Sequence, residues 1–251
     1  LDGQATACTV AGDGMSLTTA LSVSRGDMLC IFSDDNITGV VPHYSGGNDR
    51  PLEFVVVEEI QGNNVIFNRK LVDTHTVNSR VVNFTTNSTI DSARGVKIRN
   101  LDFSGSNNTG DCMRINGQRD MLVENCTFAN AGEIYVRLSY NCQLRDIRIE
   151  GQLDTNSTYG ITVIASGGIH IDTYHGWGCR HMVTTGGIDD ETNRYGTCHD
   201  ILTENFEFYG AEGQTDDSIV VADTHSSGYK VTWRNGTVHL AGDSDDSGSG
   251  G

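Results

Sequence analysis

One pattern limits what this chain can become. The segment GVKIRNLDFSG (95–105) returns as DMLVENCTFAN (120–130), NCQLRDIRIEG (141–151), GIHIDTYHGWG (168–178) and HDILTENFEFYG (199–210). Aligned on a polar marker, the copies place Asn100, Asn125, Asp146, Thr173, Asn205 and Asn235 at steps of 25, 21, 27, 32 and 30 residues. Periods of roughly 20–50 residues belong to solenoids and arrays, in which each unit buries its apolar face only against its neighbours.

Before each marker the residues alternate apolar and polar, as in Val96 and Ile98, Met121 and Val123, or Ile169 and Ile171. After it a second apolar pair follows, such as Leu101 and Phe103, Cys126 and Phe128, or Phe206 and Phe208. Period-two alternation marks a strand with one buried face. The parity breaks at the marker, which predicts a bend there that turns both short strands inward. Asparagine suits a bend because it tolerates left-handed backbone angles and can bond its neighbours in a stack. On this reading each marker is a buried corner of one coil.

Between the copies lie further strand candidates: DCMRIN (111–116), EIYVRLSY (133–140), YGITVIAS (159–166), RHMVTT (180–185) and DSIVVAD (217–223). Roughly three strands per coil without helical-period segments predict an all-β fold, a right-handed parallel β-helix of about eight coils. Residues 91–241 carry it. Residues 1–90 read as a short N-terminal β lead-in that caps the open end and supplies the first coils. It contains a hairpin around Gln61-Gly62-Asn63-Asn64. The tail 242–251 is polar and glycine-rich enough to be a flexible end.

Composition narrows the partners. Thirty-three acidic against 17 basic side chains give a formal net charge of -16, so nucleic acid is not expected as a partner. No apolar stretch approaches the roughly 18 residues of a membrane span, so no membrane insertion is expected. The seven cysteines form no CxxC pair and read as reduced thiols. The chain opens at Leu1 without a signal-like segment, which reads as a processed protein or a fragment. Seven N-x-S/T triplets occur. Those at Asn125 and Asn235 fall on markers and are expected to be buried.

The stretches GDMLCIFSDD (26–35), EFVVVEEIQGNNVIFNRKLVD (53–73) and ARGVKIRNLDFSG (93–105) resemble the entry segment of pectate-lyase-like β-helix proteins, nearest to tailed-phage tailspikes and related tail appendages. YGITVIASGGIHIDTYHGWGCRHMVTTGG (159–187) is similar to a coil pair of that group. The resemblance implies a homotrimer on the virion tail or in an extracellular setting, with other tail proteins and a host cell-surface polysaccharide as partners. The aspartate motifs and GHG signature of polygalacturonase-like hydrolases are absent, so activity does not carry over.

Candidate chemistry sits on outward positions, because inward ones are packed. In EIYVRLSY, Ile134, Val136 and Leu138 face in and Glu133, Tyr135, Arg137 and Ser139 face out. Hydrolysis of a glycosidic bond uses two carboxylates about 5–5.5 Å apart for retention and about 6.5–9.5 Å for inversion. Coils stack at about 4.8 Å, so Asp111 and Glu133, one coil apart, form the candidate pair, with Asp217 several coils on. Solvated edge carboxylates are the competing reading. Tyr135, Arg137 and Trp177 offer sugar stacking and gripping groups, although Trp177 also suits packing at a corner. Arg180 and His181 fit a lyase base but read first as a structural step of the fold. His170, His175, His199 and His225 are scattered over different coils, and no metal site is expected of them. Acidic groups such as Asp189-Asp190-Glu191, Asp216-Asp217 and Asp243/Asp245/Asp246 allow at most weak Ca²⁺ binding; no other cofactor is implied. The leading expectation is a tailspike or tail-appendage subunit that recognises host polysaccharide, with cleavage open. A non-catalytic adhesive or structural fibre and a free secreted lyase or hydrolase are the alternatives.

Overall fold

The computed structural model describes residues 4–37, 48–86, 94–105, 111–130, 132–150, 159–190, 193–210, 222–225 and 228–239. Every named element in it is a strand, and no helix among the described residues is long and apolar enough to cross a membrane. The repeats stack as expected. Strands Lys97–Ser104, Leu122–Ala129, Gln143–Glu150, His170–Trp177, Cys198–Tyr209 and Gly228–Arg234 pair in parallel to form a long sheet. Met113–Asn116, Ile134–Arg137, Tyr159–Ile164, His181–Gly186 and Ala222–His225 form a second, shorter parallel sheet. The third side is a ladder of single parallel bridges through Arg94, Arg119, Tyr140, Gly167 and His199. The interior between these faces is apolar, with Val123, Cys126, Ile134, Val136, Leu144, Ile147, Ile161 and Ile171 all fully or nearly fully buried.

The markers do adopt left-handed backbone angles, with φ of 57° at Asn100, 52° at Asn125, 52° at Asp146, 55° at Thr173, 53° at Asn205 and 54° at Asn235. They are not corners, and the expectation that Asn125 and Asn235 are buried fails. Both are exposed: Asn125 lies inside its long strand and points out while Val123, Cys126 and Phe128 are buried, and Asn235 directly follows strand Gly228–Arg234. Asn125 donates from Nδ2 to Asn100 Oδ1 at 2.9 Å, and Asn205 to Asp172 Oδ1 at 2.8 Å. The corners come five residues earlier, at a second left-handed column: Gly95, Asp120, Asn141, Gly168, Asp200 and Lys230. The two columns recur five residues apart on every coil and impose the same turns on each. Asn125→Val, which crowds a left-handed position and removes the side-chain bond, is expected to cost about 1–2 kcal/mol. Asn125→Gly should cost less, and the two urea unfolding midpoints check the difference.

The N-terminal part departs from the expected lead-in. Strands Thr6–Val10, Ser16–Thr19, Asn64–Phe67, Leu52–Gln61, Met28–Phe32 and Arg80–Asn83 close into an antiparallel barrel and contribute no coil. The hairpin is where the sequence placed it, with Gln61 opposite Asn64 and φ of 65° at Gly62. Barrel strand Met28–Phe32 is buried at every position, since Leu29 and Ile31 face the barrel interior while Met28, Cys30 and Phe32 pack outward with Leu138 and Ala165 of the β-helix. The barrel therefore lies along the single-bridge side rather than over an open end. All seven cysteines are free thiols. The proposed tail at 242–251 falls outside the described residues.

The barrel and the β-helix share a buried polar junction. Glu53 accepts hydrogen bonds from Arg69 and from the backbone N–H groups of Val72 and Asp73, all at 2.9 Å. Arg69 Nη2 also reaches His199 Nε2 at 3.0 Å, and His199 Nδ1 faces Asp200 at 3.2 Å. Burial holds the His199 imidazole below its usual range against the raising pull of Asp200. The neutral ring thus accepts from Arg69 through Nε2 and donates to Asp200 through Nδ1. Gly167 makes room for it, because a Cβ there would lie 2.1 Å from the ring.

Candidate functional site

The outer faces of the two sheets differ in how their charges are matched. On the long sheet, Arg99, Glu124, Arg145, Asp172, Glu204 and Arg234 fall in one register column. Opposite charges meet along most of it, with Arg99–Glu124 at 2.9 Å, Arg145–Glu124 at 3.5 Å and Arg234–Glu204 at 2.8 Å. Such exposed ladders settle charge without chemistry.

The short sheet is built otherwise. Its register aligns Arg114, Tyr135, Thr162, Thr184 and Asp223 in one outward column, and Asn116, Arg137, Ile164, Gly186 and His225 in the next. Inward, Ile115, Val136 and Val163 fill the core, which locks the strands that present these groups. Glu133 stands just before strand Ile134–Arg137 and accepts a 2.5 Å hydrogen bond from Thr162 Oγ1. Asp111 lies near enough to raise it and is itself held by the Arg114 guanidinium. Two neighbouring carboxyls cannot both carry charge cheaply. Burial pushes the Glu133 carboxyl up to about 7; Thr162 and Arg114 oppose this, while the charge and hydrogen bond of Asp111 add to it. Arg114 lies 5.8 Å from the centroid of the Tyr135 ring. Arg137 Nε is buried with no hydrogen-bond partner among the described residues.

Further along the same face, Tyr159 stacks on His181 with centroids 4.9 Å apart and planes 15° from parallel. His181 Nε2 lies 3.6 Å from Asp223 Oδ2, and His225 contacts the same carboxylate.

The structure therefore gathers Asp111, Glu133, Tyr135, Arg137 and His181 on one face, with Arg180 half-buried immediately before the strand of His181. Asp111 and Glu133 are neighbours on this face, and the charge of Asp111 helps to raise the Glu133 carboxyl. Trp177 is elsewhere: it ends a long-sheet strand, is 54% exposed, and lies against Tyr209, which stacks on His239 at 4.5 Å. Asp217 is outside the described residues, as are Asp216, Glu191 and the acids of 243–246; Asp189 and Asp190 are described in backbone only. The scattering of histidines also needs correction. Coil stacking brings His225 to His181, and with Asp223 they offer three donor atoms all within 4.8 Å of one another. Sequence alone set His225 aside among the scattered histidines and did not single out Asp223 or Thr184. The i, i+2 spacing of Asp223 and His225 was the available signal, since it puts both side chains on one face of a strand.

No protein-family model matches the chain, and no curated protein matches it significantly. Solved structures do. The tailspike protein gp49 from Pseudomonas phage LKA1 superposes with a TM-score of 0.63 at 16% identity, over 93% of this chain and 38% of the tailspike. The tailspike gp61 of Pseudomonas phage phi297 gives 0.61 at 16% identity, over 94% and 42%. The gp54 tailspike of Acinetobacter baumannii bacteriophage AP22, solved in complex with A. baumannii capsular saccharide, gives 0.57 at 19% identity, over 88% and 38%. The fold is thus a tailspike-like β-helix, and the chain spans less than half the length of the tailspikes it matches.

Proposed function

We propose that this chain is the polysaccharide-recognising β-helical part of a phage tailspike and that the outer face of its short sheet binds and hydrolyses a bacterial surface glycan. One observation carries the reading: Glu133, with its carboxyl raised to about 7, stands half-buried on the outer face of the short sheet beside Tyr135 and Arg137. A carboxylic acid still protonated near neutrality can deliver its proton to a glycosidic oxygen as the C–O bond breaks, while water adds at the sugar carbon. Asp111 tunes that acid through its charge. Tyr135 and Tyr159 offer ring faces for stacking, and Arg137 offers N–H groups to hydroxyls or carboxylates of the chain. The tailspike-like fold, and a neighbour of that fold bound to capsular saccharide, support the choice of ligand. On this reading the protein works as a homotrimer on the virion tail, alongside other tail proteins.

The test is incubation of the purified protein with a panel of capsular and O-antigen polysaccharides, following reducing ends and the ultraviolet absorbance of unsaturated uronates. New reducing ends without absorbance are expected. Absorbance would assign a lyase and move the chemistry to Arg180 and His181. Binding without cleavage would leave an adhesive appendage.

A further inference from the structure

We propose that His181, Asp223 and His225 bind a divalent transition-metal ion of the zinc class. The site is made by coil stacking. His181 opens strand His181–Gly186, while Asp223 and His225 belong to the strand paired with it, where Thr184 faces Asp223 and Gly186 faces His225. One donor from the first coil and two from the next converge with all ligand atoms within 4.8 Å. Zinc bound at about 2.0–2.1 Å to nitrogen and oxygen asks its donors to lie a little over 3 Å apart, a separation near that of these atoms.

The donor chemistry selects the ion. Two imidazoles and one carboxylate suit zinc, nickel or copper, whereas calcium and magnesium prefer oxygen throughout. Three protein ligands leave one position for water or a ligand hydroxyl.

A second observation points to the same place. Thr184, the register partner of Asp223, is only 4% exposed. Its Oγ1 is buried and has no hydrogen-bond partner among the described residues. A buried hydroxyl left unsatisfied in a packed sheet calls for an ion or an ordered water beside it. The His181 ring is also oriented in advance, held flat against Tyr159. By pinning one coil to the next, the ion would clamp adjacent coils of the β-helix.

This inference is independent of the glycan reading, because its test contains no polysaccharide. Protein stripped with chelator is titrated with Zn²⁺ by calorimetry and with Co²⁺ by visible absorption. One equivalent per chain is expected, with a Co²⁺ spectrum of nitrogen ligation and a rise in melting temperature. Asp223→Asn and His225→Ala should each weaken binding at least about tenfold, and His175→Ala, on the long sheet, should leave it unchanged. Should His225→Ala fail to fold, the wild-type stoichiometry and Co²⁺ spectrum decide. Absence of stoichiometric heat and of a visible Co²⁺ band overturns the proposal. So does tighter binding of Ca²⁺ than of Zn²⁺, or retention of full affinity in folded Asp223→Asn.

Discussion

Glu133→Gln is expected to lower the rate of reducing-end release by about 10²–10⁴-fold, the range typical of losing a general acid. Glycan binding should survive, because the amide keeps the shape of the side chain and can still accept from Thr162. The wild-type pH profile should carry the same signature. A proton donor whose pKa lies at about 7 is loaded below that pH and empty above it, so activity should fall on the alkaline side. Asp111→Asn supplies the second arm. The charge and hydrogen bond of Asp111 both raise the Glu133 carboxyl, so the variant should move the alkaline limb to lower pH while the folded structure persists. A merely structural Asp111 would change stability and leave the limb in place. Retention of wild-type rate by Glu133→Gln would remove Glu133 from the chemistry.

The distance between what sequence and structure reveal follows from where each constraint is written. The left-handed marker at Asn100, Asn125 and Asn205 is legible because few residue types tolerate that backbone angle, and the apolar parity around it fixes which residues face in. The same signal misleads about location. A parity break looks alike whether the chain turns a corner or bulges within one strand, and the true corner column at Gly95, Asp120, Asn141 and Gly168 carries no apolar pattern of its own. The barrel is illegible for a different reason. It closes only when Thr6–Val10 pairs with Arg80–Asn83, and pairing across such a separation leaves no local trace. Strand Met28–Phe32 is apolar throughout because it is covered on both faces, which hides the alternation that would reveal a barrel wall. At the candidate site, parity alone placed Glu133, Tyr135 and Arg137 outward. The influence of Asp111 on Glu133, and the meeting of His181 with His225, depend on how side chains lean across stacked coils. That information appears only once the register is known.

Glu53→Gln is expected to destabilise the barrel by about 3–5 kcal/mol, as when one partner of a buried ion pair is removed. Glu53 is fully buried, and its carboxylate serves Arg69, two backbone N–H groups and His75 together. A neutral amide cannot accept all of these bonds or neutralise Arg69, which in turn holds His199 on the β-helix. Acid should reproduce the lesion in the wild type. Burial alone would raise the Glu53 carboxyl, but the His75 hydrogen bond, the Arg69 charge and the backbone donors win and hold it at about 2, against 4.5 for the free group. A carboxylate depressed on folding contributes its full stabilisation above the unfolded value and loses it as pH falls toward the folded one. The loss therefore runs from about pH 4.5 down to about 2. Asp35, also in the N-terminal part, is held at about 2 against 3.8 by Thr76, Val77 and Ser33 in spite of burial, and acts in the same direction. In the β-helix the raised Glu133 carboxyl has the opposite sign, and the lowered carboxylates there, Asp172, Asp200, Glu204 and Glu207, are solvent-screened surface partners that contribute little. On acidification the barrel should therefore open before the β-helix does. Both tryptophans, Trp177 and Trp233, lie in the β-helix, so their emission should hold while hydrogen exchange accelerates in strands Met28–Phe32 and Leu52–Gln61. Simultaneous loss of tryptophan emission and barrel protection would show that the two parts unfold as one unit and that Glu53 does not set the acid limit of the barrel alone.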